Sequence, residues 1–297
     1  MRITVLGAGA IGSLFGAHLA KGHDVTLVCR EGHAKAINDN GLRITGLSDI
    51  HARPKAVTSV DGLESPDMLF LTVKAYDTAS ALEDVRALLS PDTVLVSLQN
   101  GLGNVETLET AFPEARLVVG ITSQGAILRS PGEVEHTGSS YTFVGGEHAG
   151  AVADMLTAAG LDAHVSEDIR TEIWYKAIVN SVINPLGTLL KGRNGIVIEM
   201  PELAGIMGAI ISEAVEVARA KGIPLDEETA IAKTLQVARE TANNVCSMRL
   251  DVERGRRTEI MQMNGAIARY GAERGVPTPV NSLLTTLVKA LESRDNS

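Results

Sequence analysis

Ile3-Thr4-Val5-Leu6-Gly7-Ala8-Gly9-Ala10-Ile11-Gly12 decides the fold. An apolar, largely β-branched run opens directly onto G-x-G-x-x-G, residues 11–21 continue with helical spacing, and a second strand-like run follows at 24–28. Strand, glycine turn, helix and strand make a βαβ unit, the context in which this glycine pattern is informative. Gly7 permits the tight turn, Gly9 lets the backbone approach a pyrophosphate without a Cβ in the way, and Gly12 allows the helix to lie close to the strand. The helix N-terminus presents free N–H groups to the phosphates. Gly7, Ala8, Gly9, Ala10, Ile11 and Gly12 therefore read as a dinucleotide-binding turn.

After the second strand, where an acidic residue usually accepts from an NAD ribose, the chain carries Cys29-Arg30-Glu31. A guanidinium can pair with a 2′-phosphate and stack on adenine, so Arg30 favours NADPH. Glu31 keeps NADH open as an alternative cofactor, and a solvated charge pair is the plain reading of both residues.

Further strand-like runs at 68–73, 93–98, 117–121 and 141–144 alternate with helical stretches such as 77–89, which predicts a mainly parallel sheet covered on both faces. Ser130-Pro131-Gly132-Glu133 predicts the turn of a late hairpin. From about Ser166 long Ala/Leu/Ile/Glu-rich segments take over, broken at Pro201, Gly222-Ile223-Pro224 and Gly275-Val276-Pro277. The expectation is an α/β Rossmann-type domain over residues 1–166 and an all-α domain over 167–297.

Composition agrees with a packed globular chain: of 297 residues 44% are hydrophobic and 21% charged. A formal charge of −9 makes the surface a poor general partner for nucleic acid or anionic lipid, and 3% aromatic content gives little for base stacking. Cys29 and Cys246 stand far apart with no CxxC and no Cys/His ladder, so no disulfide framework and no metal site is expected. The start lacks the apolar stretch of a signal peptide, and no run approaches the roughly 20 residues that span a bilayer. A cytoplasmic protein with no membrane partner is expected.

Residues 174–186 read Trp-Tyr-Lys-Ala-Ile-Val-Asn-Ser-Val-Ile-Asn-Pro-Leu. Lys176, Asn180 and Asn184 recur every four residues, which on a helix keeps them within about 80° of arc. Ile178, Val179, Val182 and Ile183 cover the other faces, so this polar stripe is expected to face an internal cleft rather than open water. If the helix continues through Pro185, the Ser181 carbonyl loses its partner and the helix bends.

Taken with these features, the chain resembles the ketopantoate reductase (2-dehydropantoate 2-reductase) family over essentially its full length. The likeness is carried by the glycine turn, the Lys176/Asn180/Asn184 helix, Leu71-Thr72-Val73-Lys74, Leu98-Gln99-Asn100-Gly101-Leu102-Gly103 and Gly120-Ile121-Thr122-Ser123-Gln124-Gly125-Ala126. It recurs in Arg193-Asn194-Gly195, in Asn244-Val245-Cys246-Ser247-Met248, and in Asp251 with Arg257-Thr258-Glu259-Ile260.

The resemblance implies a Rossmann domain followed by a helical domain like the C-terminal one of 6-phosphogluconate dehydrogenase. It also implies NADPH-dependent reduction of 2-dehydropantoate to (R)-pantoate, on the route to pantothenate and coenzyme A. Hydride transfer to the C2 carbonyl leaves an alkoxide that needs a proton, and Lys176 resembles that general acid, its pKa drawn down by partial burial. By similarity Asn180, Asn184 and Asn194 contact the substrate and Ser247 binds its carboxylate or a nearby oxygen. Asn100 serves both ligands, Lys74 approaches the reacting end, and Ala126 offers backbone contact to the cofactor. Glu259, in the family close to nicotinamide and substrate, either keeps Lys176 protonated or accepts from a substrate hydroxyl, with a carboxylate answering a helix dipole as the plainer reading. The competing functions are a related reductase of another 2-keto or 3-hydroxy acid and a non-catalytic NADP(H) sensor. The apolar content of the helical domain could support a homodimer.

Overall fold

Strand β1 (Arg2–Leu6) is buried on both faces from Ile3 onward, with Ile3 and Val5 at 0% exposure on one and Thr4 and Leu6 on the other, as a central parallel strand requires. The computed structural model describes residues 1–295, and two compact units divide it: Met1–Gln99 with Asn104–Ile169, and Asn100–Gly103 with Arg170 onward.

In the first unit β1 leads into α1 (Ala10–Leu19), β2 (Asp24–Val28) and α2 (Glu31–Asn40), then the short strands β3 (Leu42–Gly46), β4 (Ile50–Ala52) and β5 (Lys55–Val57). There follow β6 (Met68–Leu71), α3 (Thr78–Val85), β7 (Val94–Ser97), α4 (Asn104–Ala111) and β8 (Arg116–Thr122). The unit closes with β9 (Gly125–Ser130), β10 (Glu133–Gly138), β11 (Thr142–Gly145), α5 (Ala149–Ala158) and β12 (Ala163–Val165). The main sheet has the order β12-β11-β8-β7-β6-β1-β2-β5 and is parallel except where β11 meets β8. Strand order reverses at β1, flanked by β2 and β6, and ligands of open α/β sheets bind beyond the carboxyl ends at such a point.

A second sheet, β4-β3-β10-β9, was not foreseen beyond its hairpin. That hairpin turns at Gly132 in the left-handed region (φ 82°), where a residue without Cβ is favoured. β3 and β10 then pair in parallel across some ninety residues of chain (Arg43 opposite Glu133), a contact that no local pattern announces.

The second unit is helical. Most of α6 (Ile169–Leu189) belongs to it, followed by α7 (Ile196–Glu199), α8 (Ala204–Ala220), α9 (Glu227–Glu240), α10 (Ser247–Glu253), α11 (Asn264–Arg274) and α12 (Pro279–Asp295). α8 packs against α9, α11 and α12, and its Ile210, Ile211, Ala214 and Val215 share a fully buried core with Ile178 and Val182 of α6. The breaks expected at 222–224 and 275–277 fall between helices, and Pro201 opens a short 3₁₀ turn (Pro201–Leu203) between α7 and α8.

The glycine turn is braced from within its own unit. The Gly132 N–H donates to His33 Nδ1 (2.9 Å), which fixes the ring as neutral with its proton on Nε2. Nε2 then donates to Ser13 Oγ (3.0 Å), and Ser13 donates to the Ala8 carbonyl (3.2 Å). Burial holds His33 below the ordinary imidazole range. Below about pH 6.5 the unfolded chain binds the proton that the folded chain resists. The contribution of this relay is therefore complete above that pH and is lost as pH falls. Chemical denaturation followed from pH 7.5 to 5.5 should show stability falling with pH. His33→Gln should flatten the dependence without abolishing it, because burial also lowers His18 and His136; an unchanged slope refutes the relay.

Candidate active site

Each glycine of the turn at the end of β1 has its own steric cause. Gly7 has φ 89°, and a Cβ there would lie 2.5–2.7 Å from Val73. A Cβ on Gly12 would meet the Thr72 hydroxyl and approach the Gly7 carbonyl to 2.8 Å. Thr72 itself donates to the carbonyls of Leu6 (3.2 Å) and Gly7 (3.0 Å), so the chain leaving β6 is pinned to the turn. Sequence reasoning missed this function of Thr72. Gly9 differs, because a Cβ there would meet nothing nearer than the Gly7 carbonyl at 3.9 Å. Open space over Gly9 and an α1 N-terminus with no side-chain cap fit a dinucleotide phosphate group.

Around this turn the first unit gathers other expected residues. The N–H groups of Gly7 and Ala8 donate to the Val28 carbonyl, two residues before Arg30. Arg30 is exposed at the entrance to α2, and Glu31 is the first residue of that helix, where a carboxylate also suits the dipole. Lys74 is half-buried just beyond Val73, which packs on Gly7. Ala126 lies on β9, which packs on α1. The chain before Ala126 is fixed by His136, whose ring bonds Ser48 (2.8 Å) and Gln124 (2.9 Å). Burial raises the Cys29 thiol to about 11, so it stays protonated and unreactive near neutrality.

The second unit assembles the polar stripe with two distant segments. Lys176 and Asn180 are half-buried on α6, and Asn184 is buried one turn further on. Loss of water lowers the Lys176 pKa from 10.5 to about 8, and the negative charge of Glu259 opposes the fall. Glu259 is itself only 5% exposed, in the turn after Gly255, whose positive φ (61°) follows the end of α10. Met263 accepts from the Asn184 amide (3.4 Å to Sδ), and the Gln262 carbonyl accepts from Leu102 (2.7 Å). Segment 259–263 thus meets Lys176, Asn184 and the turn that follows Asn100. Asn100 lies three residues beyond β7 and groups with this helical unit rather than with the sheet that precedes it.

On the other flank Asn194 donates its backbone N–H to Asn244 (2.9 Å) and its amide to Thr241 (3.0 Å), while its Oδ1 is buried without a hydrogen-bond partner among the described residues. Arg249 ties α10 to the turn before Asn194 through the carbonyls of Lys191 (2.8 Å) and Gly192 (3.1 Å). Ser247, exposed, opens α10, and its neighbour Cys246 donates to the Asn184 carbonyl (3.6 Å). The chain therefore brings Asn184, Ser247 and Asn194 into one neighbourhood. Among the described residues no group of three or more His, Cys, Asp or Glu could hold a metal ion, and no helix is long and apolar enough to cross a membrane.

Family comparisons match both units. The family described as ketopantoate reductase PanE/ApbA matches residues 3–149, and its C-terminal counterpart matches 168–292. A 2-dehydropantoate 2-reductase of Pyrococcus abyssi is 39% identical over 300 residues, covering 99% of this chain and 98% of the relative. Two solved structures, each aligned over 100% of both chains, are similar. A PanE/ApbA family ketopantoate reductase from Ralstonia eutropha has a TM-score of 0.93 at 30% identity, and a D-mandelate dehydrogenase with NADH and anilino(oxo)acetate has 0.94 at 32%. With an α/β glycine-turn unit, a helical Lys/Asn unit and matches to both family models, the chain belongs to the ketopantoate reductase family.

Proposed function

We propose that this chain reduces 2-dehydropantoate to (R)-pantoate with NADPH, in the cytoplasm, on the route to pantothenate and coenzyme A, and that Lys176 supplies the proton. One observation carries the reading: a lysine with its pKa drawn down to about 8 stands opposite Glu259 on a helix lined with asparagines. A group with that pKa is largely protonated near neutrality yet gives up its proton far more readily than an ordinary lysine.

When bound, the reduced nicotinamide supplies the hydride to the substrate C2. The residues of this chain do the rest. The N-terminus of α1 and the bare backbone at Gly9 bind the pyrophosphate, and Arg30 binds the 2′-phosphate. Lys74, Asn100, Ala126 and Glu259 complete the cofactor set. Lys176 donates from Nζ to the C2 oxygen as negative charge develops there. Asn100, Asn180, Asn184, Asn194 and Ser247 offer the donors and acceptors that a hydroxy-keto acid needs. Glu259 favours the charged form of Lys176 until transfer. Likeness to a D-mandelate dehydrogenase with NADH supports a second reading, a reductase of an aryl-substituted 2-oxo acid. The amide-rich helix favours the hydroxylated substrate.

Loss of NADPH absorbance with 2-dehydropantoate, set against phenylglyoxylate, decides between these readings: turnover of the aryl acid alone selects the second, and cofactor binding without turnover of either rejects both. Lys176→Ala should lower kcat by about 10²–10⁴ and leave NADPH affinity nearly intact; an undiminished rate removes Lys176 from the chemistry. The acid must carry its proton, so kcat/KM for reduction should decline as pH rises through about 8, and that limb should vanish in Lys176→Ala. Arg30→Ala should weaken NADPH much more than NADH, and an unaltered preference would place recognition of the 2′-phosphate elsewhere.

A further inference from the structure

Pro185 lies inside α6 and has no N–H, so the Ser181 carbonyl one turn earlier has no helical partner. Ser181 is fully buried, where an orphaned carbonyl is costly. The missing donor is supplied by Asn264, the first residue of α11, through Nδ2 at 2.9 Å. The second proton of that amide goes to Asn281 Oδ1 (3.0 Å), and Asn264 and Asn281 are both fully buried. Asn281 donates in turn to Glu213 (2.7 Å) and to the Ile210 carbonyl (3.3 Å). Glu213 on α8 also accepts from the N–H groups of Val280 (2.8 Å) and Asn281 (3.0 Å) in the first turn of α12.

The orientation of Asn264 is fixed by this chain of bonds. Turning the amide over would set its oxygen against two acceptors, the Ser181 carbonyl and Asn281 Oδ1. In the orientation present, Oδ1 is buried with no hydrogen-bond partner among the described residues. The residue thus leaves an acceptor unsatisfied in order to donate twice, which suits a group whose task is donation. Its neighbours meet the same helix: Met263 accepts from Asn184, and Glu259 interacts with Lys176. One short segment, 259–264, meets α6 at Lys176, at the freed Ser181 carbonyl and at Asn184, the residue before the proline.

We propose that Asn264 is a positioning residue for the reduction. By taking the carbonyl that Pro185 frees, it ties α6 to the start of α11 and so fixes where Lys176 and Asn184 stand relative to Glu259. The inference rests on the reading of Lys176 as the acid. Misplacement of a reacting group by about 1 Å can cost on the order of 10²-fold in rate, so a small shift of α6 is enough to matter.

The decisive variant is the double substitution Asn264→Leu/Pro185→Ala. Alanine at 185 restores the N–H, so the Ser181 carbonyl is satisfied within the helix and only Asn281 Oδ1 loses its donor with Asn264. Thermal stability should recover in part relative to Asn264→Leu alone, whereas kcat for 2-dehydropantoate should stay about 10–100-fold below that of the unsubstituted protein. NADPH affinity should change less than about twofold, and the loss of activity with rising pH should move away from about 8 as Lys176 shifts against Glu259. Should kcat return together with stability, Asn264 merely satisfies a carbonyl and the inference is wrong. Failure of the unsubstituted protein to turn over 2-dehydropantoate would instead overturn the functional reading, and this inference with it. If Asn264→Leu alone does not fold, the double variant still decides by comparison with Pro185→Ala.

Discussion

The Lys176 ammonium has given up enough water to fall to about 8 and keeps its charge through Glu259, and the architecture of the second unit is arranged around that balance. Desolvation pulls the pKa down and the charge of Glu259 opposes the fall. The compromise needs a half-buried stem, a buried carboxylate and apolar neighbours that do not move. α6 supplies them with fully buried Ile178 and Val182 packed into the core around α8, and with a polar face that recurs every four residues. Segment 259–264 supplies the counter-charge and, through Met263 and Asn264, two further attachments to the same helix.

The first unit meets a different demand with steric means. β1, β2 and β6 converge where the sheet changes direction, and the turn above them is held by Thr72 from one side and by the His33–Ser13 relay from the other. Neither support is charged. The N–H groups at the start of α1 are left to act on whatever anion comes to them, undisturbed by a nearby carboxylate cap.

The sequence made some of this legible and hid the rest for identifiable reasons. G-x-G-x-x-G between two apolar runs fixed the βαβ start, and the four-residue recurrence of Lys176, Asn180 and Asn184 exposed the polar stripe, because both are local patterns with a known period. β3 and β4 escaped because both are short, and β3 takes its second partner, β10, from far along the chain. Glu259 was reached through family resemblance alone, since nothing near it marks a buried carboxylate. Pro185 announced an orphaned carbonyl, but its donor sits 83 residues away from Ser181, and only the folded chain could name Asn264. The grouping of Asn100 with the helical unit was equally hidden, because the chain that leads into it is a strand of the sheet.

Gly9 stands apart from Gly7 and Gly12, since those two are demanded by packing and this one faces open space. A lineage that ceased to need a dinucleotide would feel no pressure from its own core to keep position 9 bare, while positions 7 and 12 would stay policed by Val73 and Thr72. Decay of binding would accordingly be inscribed first at the middle glycine, leaving the outer pair as a fossil of the turn. The bare backbone at Gly9 is thus required by none of its neighbours in the fold.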